Sequence, residues 1–172
     1  MSYRGTLIYF CGKMGAGKTT ASKKVAEKRN AVLISEDEWL SQLYPEQIIS
    51  FDDYIKFSAQ LRPLIKSHVQ NILTTGTSVV MDFPANTKRQ REWFNGIALE
   101  VESTAELIYL KANDALCLKQ VAKRALEQPH RAAFDTEEMF RHVSTYFEEP
   151  AEDEVKNLVV VLKEDDGDKR KD

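Results

Sequence analysis

Hydrophobic positions along this chain fall into two kinds of run that alternate: short continuous blocks, and longer stretches with an apolar residue at every third or fourth position. The first block, Thr6-Leu7-Ile8-Tyr9-Phe10-Cys11, is nearly unbroken, as a strand covered on both faces requires. Ala31–Ile34, Ser78–Met81 with Asp82 at its end, Glu106–Leu110 and Leu158–Leu162 repeat the pattern and predict four more strands. Lys18–Arg29 places Ala21, Val25 and Ala26 on one face and lysines opposite, which is helical spacing. Across Asp52–Thr75 the residues Tyr54, Phe57, Leu61, Leu64, Ile65, Val69 and Ile72 recur at steps of three or four, and Pro63 should kink or divide that helix.

Gly76 stops the long helix, and a Pro-containing turn leads to a polar helix over about Thr87–Ala98. Asn113 can cap a helix through about Glu127 in which Leu118, Val121, Ala122 and Ala125 share a face, and Pro129 ends it. Asp135 with Glu138 three residues on reads as a capping box for a last helix running to about Glu149. Five strands alternating with helices predict an α/β fold: a doubly wound, five-stranded, mostly parallel sheet between two helical layers. Such sheets place ligands beyond the carboxyl ends of their strands. Gly12, Asp37 and Asp82 should therefore converge on one cleft.

The chain has 172 residues, one domain's worth at roughly 150 residues per domain. We assign it to 1–163, with 164–172 a charged tail expected to be disordered. Hydrophobic residues at 42% and charged residues at 30% suit a globular core that needs no staples. The formal charge of −3 gives no general attraction to nucleic acid or anionic membrane, so an anionic ligand has to be held by a local site. Cys11 and Cys117 match no zinc or redox spacing, which predicts reduced thiols and a cytoplasmic protein. The longest apolar runs fall far short of the roughly 20 residues of a membrane helix, and the first of them runs into a Gly/Lys loop where a signal peptide would have a cleavage site.

That loop carries the chemistry. Gly12-Lys13-Met14-Gly15-Ala16-Gly17-Lys18-Thr19 fits G-x-x-x-x-G-K-[ST] at every fixed position, follows a strand and opens a helix, which is the context a phosphate-binding loop requires. Glycines let backbone N–H groups turn toward phosphate oxygens, the helix adds its positive end, Lys18 reaches the β- and γ-phosphates of ATP, and Thr19 offers a hydroxyl to Mg²⁺. Thr20 continues the loop into the helix. Asp82, closing the third strand, is the Walker B candidate for the metal, its bland alternative being a turn or helix cap.

Asp37 lies in Ser35-Glu36-Asp37-Glu38, where a helix start alone would explain the acids. A kinase also needs a carboxylate near the γ-phosphate to orient and deprotonate an acceptor hydroxyl, and Asp37 is the chosen base. Two basic clusters, Lys88-Arg89-Gln90-Arg91 and Lys123-Arg124 with His130-Arg131, can meet the charge of a transferred phosphoryl group. The second flanks a Pro-containing break at about 123–134 that reads as a lid. Trp39, Trp93, Tyr146 and His68 are assigned to structure rather than to the site.

On these stretches the sequence resembles the small P-loop kinases grouped with the zeta-toxin, chloramphenicol phosphotransferase, gluconate kinase and polynucleotide kinase families. It looks nearest to the uncharacterised ATP-binding proteins of that set. The resemblance rests on Phe10–Thr20, Leu33–Trp39, Val79–Thr87 and the lid near Lys123-Arg124, and it implies the P-loop NTPase fold with ATP and Mg²⁺. It further implies Asp37 as general base, Arg124 as a lid arginine on the ATP phosphates, and an acceptor side that includes Asn86 and Arg89, to which we add Arg131. Glu36 and Leu40 stand where the polynucleotide kinases tend to carry basic residues, which argues against a nucleic-acid acceptor, and no Asn-Lys-x-Asp guanine signature is present.

The expected function is thus transfer of the γ-phosphoryl group of MgATP to a hydroxyl of a small molecule. The alternatives are a nucleic-acid 5′-hydroxyl or nucleotide-sugar kinase, and a non-catalytic ATP-binding regulatory module.

Overall fold

In the computed structural model, which describes residues 3–165, the five continuous apolar blocks form one sheet in the order β2-β3-β1-β4-β5. The strands are β1 (Thr6–Cys11), β2 (Val32–Ser35), β3 (Val79–Asp82), β4 (Thr104–Ala112) and β5 (Leu158–Lys163). Every pairing is parallel. The expected P-loop α/β/α architecture is therefore the one observed, and β4 starts two residues earlier than its apolar block.

Alternation along the central strands divides the core in two. Leu7, Tyr9, Cys11, Val79, Met81 and Leu107 face one layer, where they meet Leu61, Ile65, Val69 and Leu73 of α3 (Phe51–Thr74) and Phe94 and Ile97 of α4 (Lys88–Leu99). Ile8, Phe10, Val80, Ile108 and Leu110 face the other, against Ala26 of α1 (Lys18–Lys28), Cys117 of α5 (Asp114–Glu127) and Phe140 of α6 (Glu137–Ser144). A strand sandwiched this way has no solvent face, which is why its sequence reads as a solid apolar block. Cys11 and Cys117 are both free and buried, and burial pushes the Cys11 thiol up to about 11, so it behaves as core filler.

Helix boundaries follow local capping chemistry, with two departures from expectation. Ser50 starts α3 with a reciprocal capping box to Asp53, and Thr87 starts α4 with one to Gln90. Pro63 does not divide α3, which runs through it for 24 residues. Pro63, its neighbour Leu64 and the Ala59 carbonyl it leaves without a helical N–H all lie on the exposed side, where water can take the hydrogen bond. The last helix is also different. Thr136, not Asp135, is its N-cap, accepting from the Met139 N–H at 3.1 Å, and α6 ends at Ser144 rather than near Glu149.

A short helix absent from the periodicity, α2 (Glu36–Leu43), follows β2 directly, capped by Ser35. No helix among the described residues is long and apolar enough to cross a membrane. The expected tail beyond residue 165 lies outside the described residues.

The basic run at the start of α4 does not form one solvated face. Arg91 is buried, binds Glu154 through two nitrogens at 2.6 and 3.0 Å, and donates to the Ala85 carbonyl at 3.1 Å. It clamps the 151–156 segment to the end of β3. Arg89 stays exposed and makes no ion pair among the described residues.

Candidate functional site

The parallel sheet brings three carboxyl ends together. Ser35 and Asp82 are partners in the β2–β3 register, and β1 adjoins β3, so the segments following Cys11 and Ser35 flank Asp82. Between β1 and α1 the chain makes a tight loop in which Ala16 N–H donates to the Lys13 carbonyl at 3.0 Å. Gly15 and Gly17 hold φ values of +81° and +95°, a region that L side chains avoid, and a Cβ on Gly15 would sit 2.4 Å from the Cys117 carbonyl of α5. Of the motif's two fixed glycines, Gly17 is required by its positive φ and Gly12 by close approach, a Cβ there lying 2.9 Å from the Leu110 carbonyl, while Gly15, at a variable position of the motif, answers both demands.

Lys18 is the first residue of α1, and its ammonium donates to the Gly12 and Lys13 carbonyls, inside the curve of the loop. Burial pulls its pKa below the usual lysine value, opposed by the nearby Cys11 and Asp82. Lys13 reaches outward to Asp114 at 2.7 Å, while Met14 packs on the lower core, Ala16 is buried, and Thr19 and Thr20 remain exposed. The loop is pinned from a third side by Asn86, whose Oδ1 accepts from the Gly12 N–H at 3.0 Å and whose carbonyl accepts from the Glu148 N–H. Asn86, implied for the acceptor side, is here in contact with the phosphate loop and helps to shape it.

Burial raises the Asp82 carboxyl above the ordinary aspartate range, Asp37 adds to the rise, and the Thr19 hydroxyl and Lys18 ammonium beside it oppose. Asp82 and Thr19 offer hard oxygen donors next to the loop. Among the described residues no three His, Cys, Asp or Glu side chains cluster as a ready-made metal site. The hard oxygens of Asp82 and Thr19 would fit Mg²⁺, which is usually held by one or two carboxylates with the remaining positions filled by phosphate oxygens and water.

Asp37 sits in the first turn of α2 with a half-exposed side chain, 3.1 Å from Nη1 of Arg131. Arg131 belongs to a 3₁₀ turn, Pro129–Arg131, after α5. Its Nε also bonds Asp135 at 3.2 Å, and Arg124 grips the same carboxylate through Nε and Nη2 at 2.7 and 2.6 Å. Asp135, whose side chain is fully buried, therefore holds Arg124 and Arg131 side by side, and Arg131 in turn bridges to Asp37. By its spacing to Glu138, Asp135 reads in the sequence as a helix cap. The signal that could have found it is Thr136, a competent N-cap that leaves the preceding acid free for another partner.

Glu36 is the second residue missed. It is buried and accepts from the Tyr54 hydroxyl and, at 2.7 Å, from the Ser58 hydroxyl. Tyr54, Ser58 and Arg62 recur every fourth residue as a polar stripe on α3, a pattern visible in the sequence once polar positions are given the same periodicity test as apolar ones. The contact fixes α2, and with it Asp37, against α3. Trp39 and Trp93 pack against the core as expected, Tyr146 is exposed, and His68 is exposed beside Trp39.

Burial raises the Glu36 carboxyl above its ordinary value of about 4.5, against the two hydroxyls that donate to it. A folded-state pKa above the unfolded one contributes stability below the unfolded value, and that contribution is lost as pH rises through the folded value. Glu36→Gln lacks this titration, so the variant should gain stability relative to wild type as pH rises from about 4 to 7. Urea unfolding at several pH values reads the difference, and parallel curves for the two proteins would show that Glu36 titrates alike in both states.

No curated protein sequence matches the chain at a significant level. Among solved structures, a candidate kinase from Chloroflexus aurantiacus superposes with a TM-score of 0.73 at 18% identity, covering 92% of this chain and 88% of that one. Kti12 from Chaetomium thermophilum, solved with ADP-AlF3, gives 0.67 at 20% over 93% and 90%. The Mycobacterium tuberculosis APS kinase, solved with AMPPNP and APS, gives 0.60 at 18% over 93% and 89%. At these identities the likeness is one of fold, and the fold is that of the P-loop kinases. An AAA domain family model matches residues 7–150, a span that includes the phosphate loop, Asp82 at the end of β3, Asp37 at the start of α2, and Arg124 and Arg131, and the chain belongs to that AAA domain family.

Proposed function

We propose that this protein is an ATP-dependent phosphotransferase that moves the γ-phosphoryl group of MgATP to a hydroxyl of a small-molecule acceptor. The observation that carries the reading is the placement of Asp37. A carboxylate beyond the end of β2, beside the metal-side Asp82 and salt-bridged to a lid arginine, is surplus to a module that only binds nucleotide. It is what in-line transfer to a hydroxyl needs. The names of two kinds of fold neighbour, an APS kinase and a gluconokinase, support a small acceptor.

When bound, MgATP supplies the transferable group and neutralises part of its charge. Gly12–Thr20 of this chain cradles the phosphates, with Lys18 as fixed counter-charge, while Thr19 and Asp82 hold the metal side. Arg124 meets phosphate charge from the lid. Arg131 and Asp37 face the acceptor, with Asp37 accepting the hydroxyl proton, and Arg89, exposed at the start of α4, contributes at longer range. The two buried free cysteines suit a cytoplasmic setting.

The test is a panel of sugars, antibiotics, nucleosides and oligonucleotides scored for ADP release above the hydrolysis background. At least one small hydroxyl compound should stimulate release. Stimulation by oligonucleotides alone would move the assignment to a 5′-hydroxyl kinase, and no stimulation by any member, with intact ATP binding, would favour a regulatory module.

Asp82→Asn should damage Mg²⁺-dependent nucleotide binding more than metal-free binding, because its proposed task lies at the metal. Nucleotide titrations at several Mg²⁺ concentrations check this. A wild-type metal dependence in the variant would return Asp82 to the status of a strand-end cap.

A further inference from the structure

Among the described residues, the outer strand β5 is left uncovered on both faces beyond Leu158, which packs against the core. Val159, Val160, Val161 and Leu162 are 45%, 49%, 38% and 70% exposed, whereas parallel sheets are ordinarily covered by helices on each side. Leu158–Leu162 is an unbroken apolar run with no charge, proline or bulge within it, the devices by which edge strands usually avoid pairing. Exposed apolar surface of this kind marks an interaction site.

Backbone direction fixes which atoms the open edge presents. In a parallel ladder each residue turns its N–H and C=O to the same side and successive residues alternate. The Asn157 carbonyl accepts from the Leu107 N–H at 2.9 Å, so the odd-numbered residues of the strand serve β4. The N–H and C=O groups of Leu158, Val160 and Leu162 therefore face outward.

An added antiparallel strand must set outward-facing residues opposite outward-facing residues. This strand meets that condition against itself. A two-fold axis through Val160 places Val160 opposite Val160 and Leu158 opposite Leu162 as hydrogen-bonded pairs. Continuing outward in the same register, Lys156 falls opposite Glu164 on the same face, and Asn157 opposite Lys163. The segment Lys156-x-Leu158-x-Val160-x-Leu162-x-Glu164 is thus complementary to its own reverse, apolar on apolar and base on acid. A shallow groove of about 250 Å³ lined by Val155, Leu158 and Val160, with Glu152 and Lys156 also lining it, lies where the second copy's Leu162 would pack.

We propose that β5 is a homodimerisation edge: it pairs antiparallel with β5 of a second copy of this chain and joins two five-stranded sheets into one. Strand direction reverses across the axis, so the two phosphate loops open at opposite ends of the joined sheet and neither cleft is covered.

Sedimentation at about 10–200 µM should show a dimer whose dissociation is concentration-dependent. Val160→Lys sets like charges directly opposite each other at the axis and should give a monomer. Val160 is half exposed, so lysine there needs no burial, and an unchanged thermal melt of the monomeric variant confirms that the fold survives. Lys156→Glu should weaken the dimer about 2- to 30-fold, since two symmetric pairs are reversed at roughly 0.2–1 kcal/mol each. The double variant Lys156→Glu/Glu164→Lys should restore it.

Val160→Cys should cross-link under mild oxidation, because a hydrogen-bonded antiparallel pair holds its Cα atoms about 5.5 Å apart, within disulfide reach. The same change at exposed Leu126 on α5 should not cross-link. A wild-type monomer throughout the range would overturn the proposal. So would a dimer indifferent to Val160→Lys, a double variant no tighter than the single one, or cross-linking at Leu126 and not at Val160.

Discussion

Lys18→Ala should abolish phosphoryl transfer and weaken MgATP binding by about 10- to 100-fold, the equivalent of a charge-assisted hydrogen bond of roughly 1.5–3 kcal/mol. The ammonium already sits inside the curve of the loop, bonded to the Gly12 and Lys13 carbonyls. A phosphate entering that curve meets a positive charge that is in place and partly dehydrated, so little reorganisation is needed. Alanine removes the only side-chain cation of the Gly12–Thr20 loop other than Lys13, and Lys13 is committed to Asp114 at 2.7 Å. It is also a strong helix former, so the start of α1 should persist.

A second consequence follows at Asp82. Lys18 is among the groups opposing the rise that burial imposes on that carboxyl, so its loss should raise Asp82 further and shift the pH dependence of Mg²⁺ binding upward. Calorimetry with a non-hydrolysable analogue decides the matter. Unchanged affinity in a folded variant would show that Gly12–Thr19 does not bind phosphate.

The central strands and the phosphate loop were legible in the sequence because each is over-determined. A strand buried on two faces leaves a solid apolar block such as Leu7–Cys11, and the fixed glycines of the loop answer backbone demands, Gly17 a positive φ and Gly12 the approach of the Leu110 carbonyl. What was illegible depends on partners distant in the chain. Arg91 reads as one more basic residue on an exposed turn until Glu154, far along the sequence, meets it in the interior. Asp135 reads as a cap until Arg124 and Arg131 converge on it.

Glu36 sits between these cases. Its acidity fits a helix start, but its burial depends on a polar stripe that α3 supplies from Tyr54 and Ser58. Long-range pairing of charged groups carries no periodicity, so local pattern cannot announce it. The edge of β5 is the converse. Its apolar block matches a buried strand, and only the structure shows that no helix among the described residues covers it.

Asp37→Asn should lower kcat for the true acceptor by about 10²–10⁴, the usual contribution of general acid–base catalysis, while leaving fold and MgATP affinity intact. From sequence alone the rival reading was a helix cap, whose loss costs about 0.5–2 kcal/mol. The structure assigns the cap of α2 to Ser35, so Asp37 keeps only a first-turn interaction with the helix dipole, about 0.3–1 kcal/mol at an exposed site. Its salt bridge to Arg131 is half exposed on the Asp37 side, and such pairs contribute roughly 0–1 kcal/mol.

Asparagine retains an oxygen that can accept from Arg131, so even that contact is partly preserved. The two roles therefore separate cleanly, because a structural Asp37 predicts a small change in melting temperature and normal turnover per folded molecule. A catalytic Asp37 predicts the reverse. Melting temperature and kcat measured on one preparation distinguish them, and a variant with wild-type turnover would remove Asp37 as the base and leave it as the lid arginine's counter-charge.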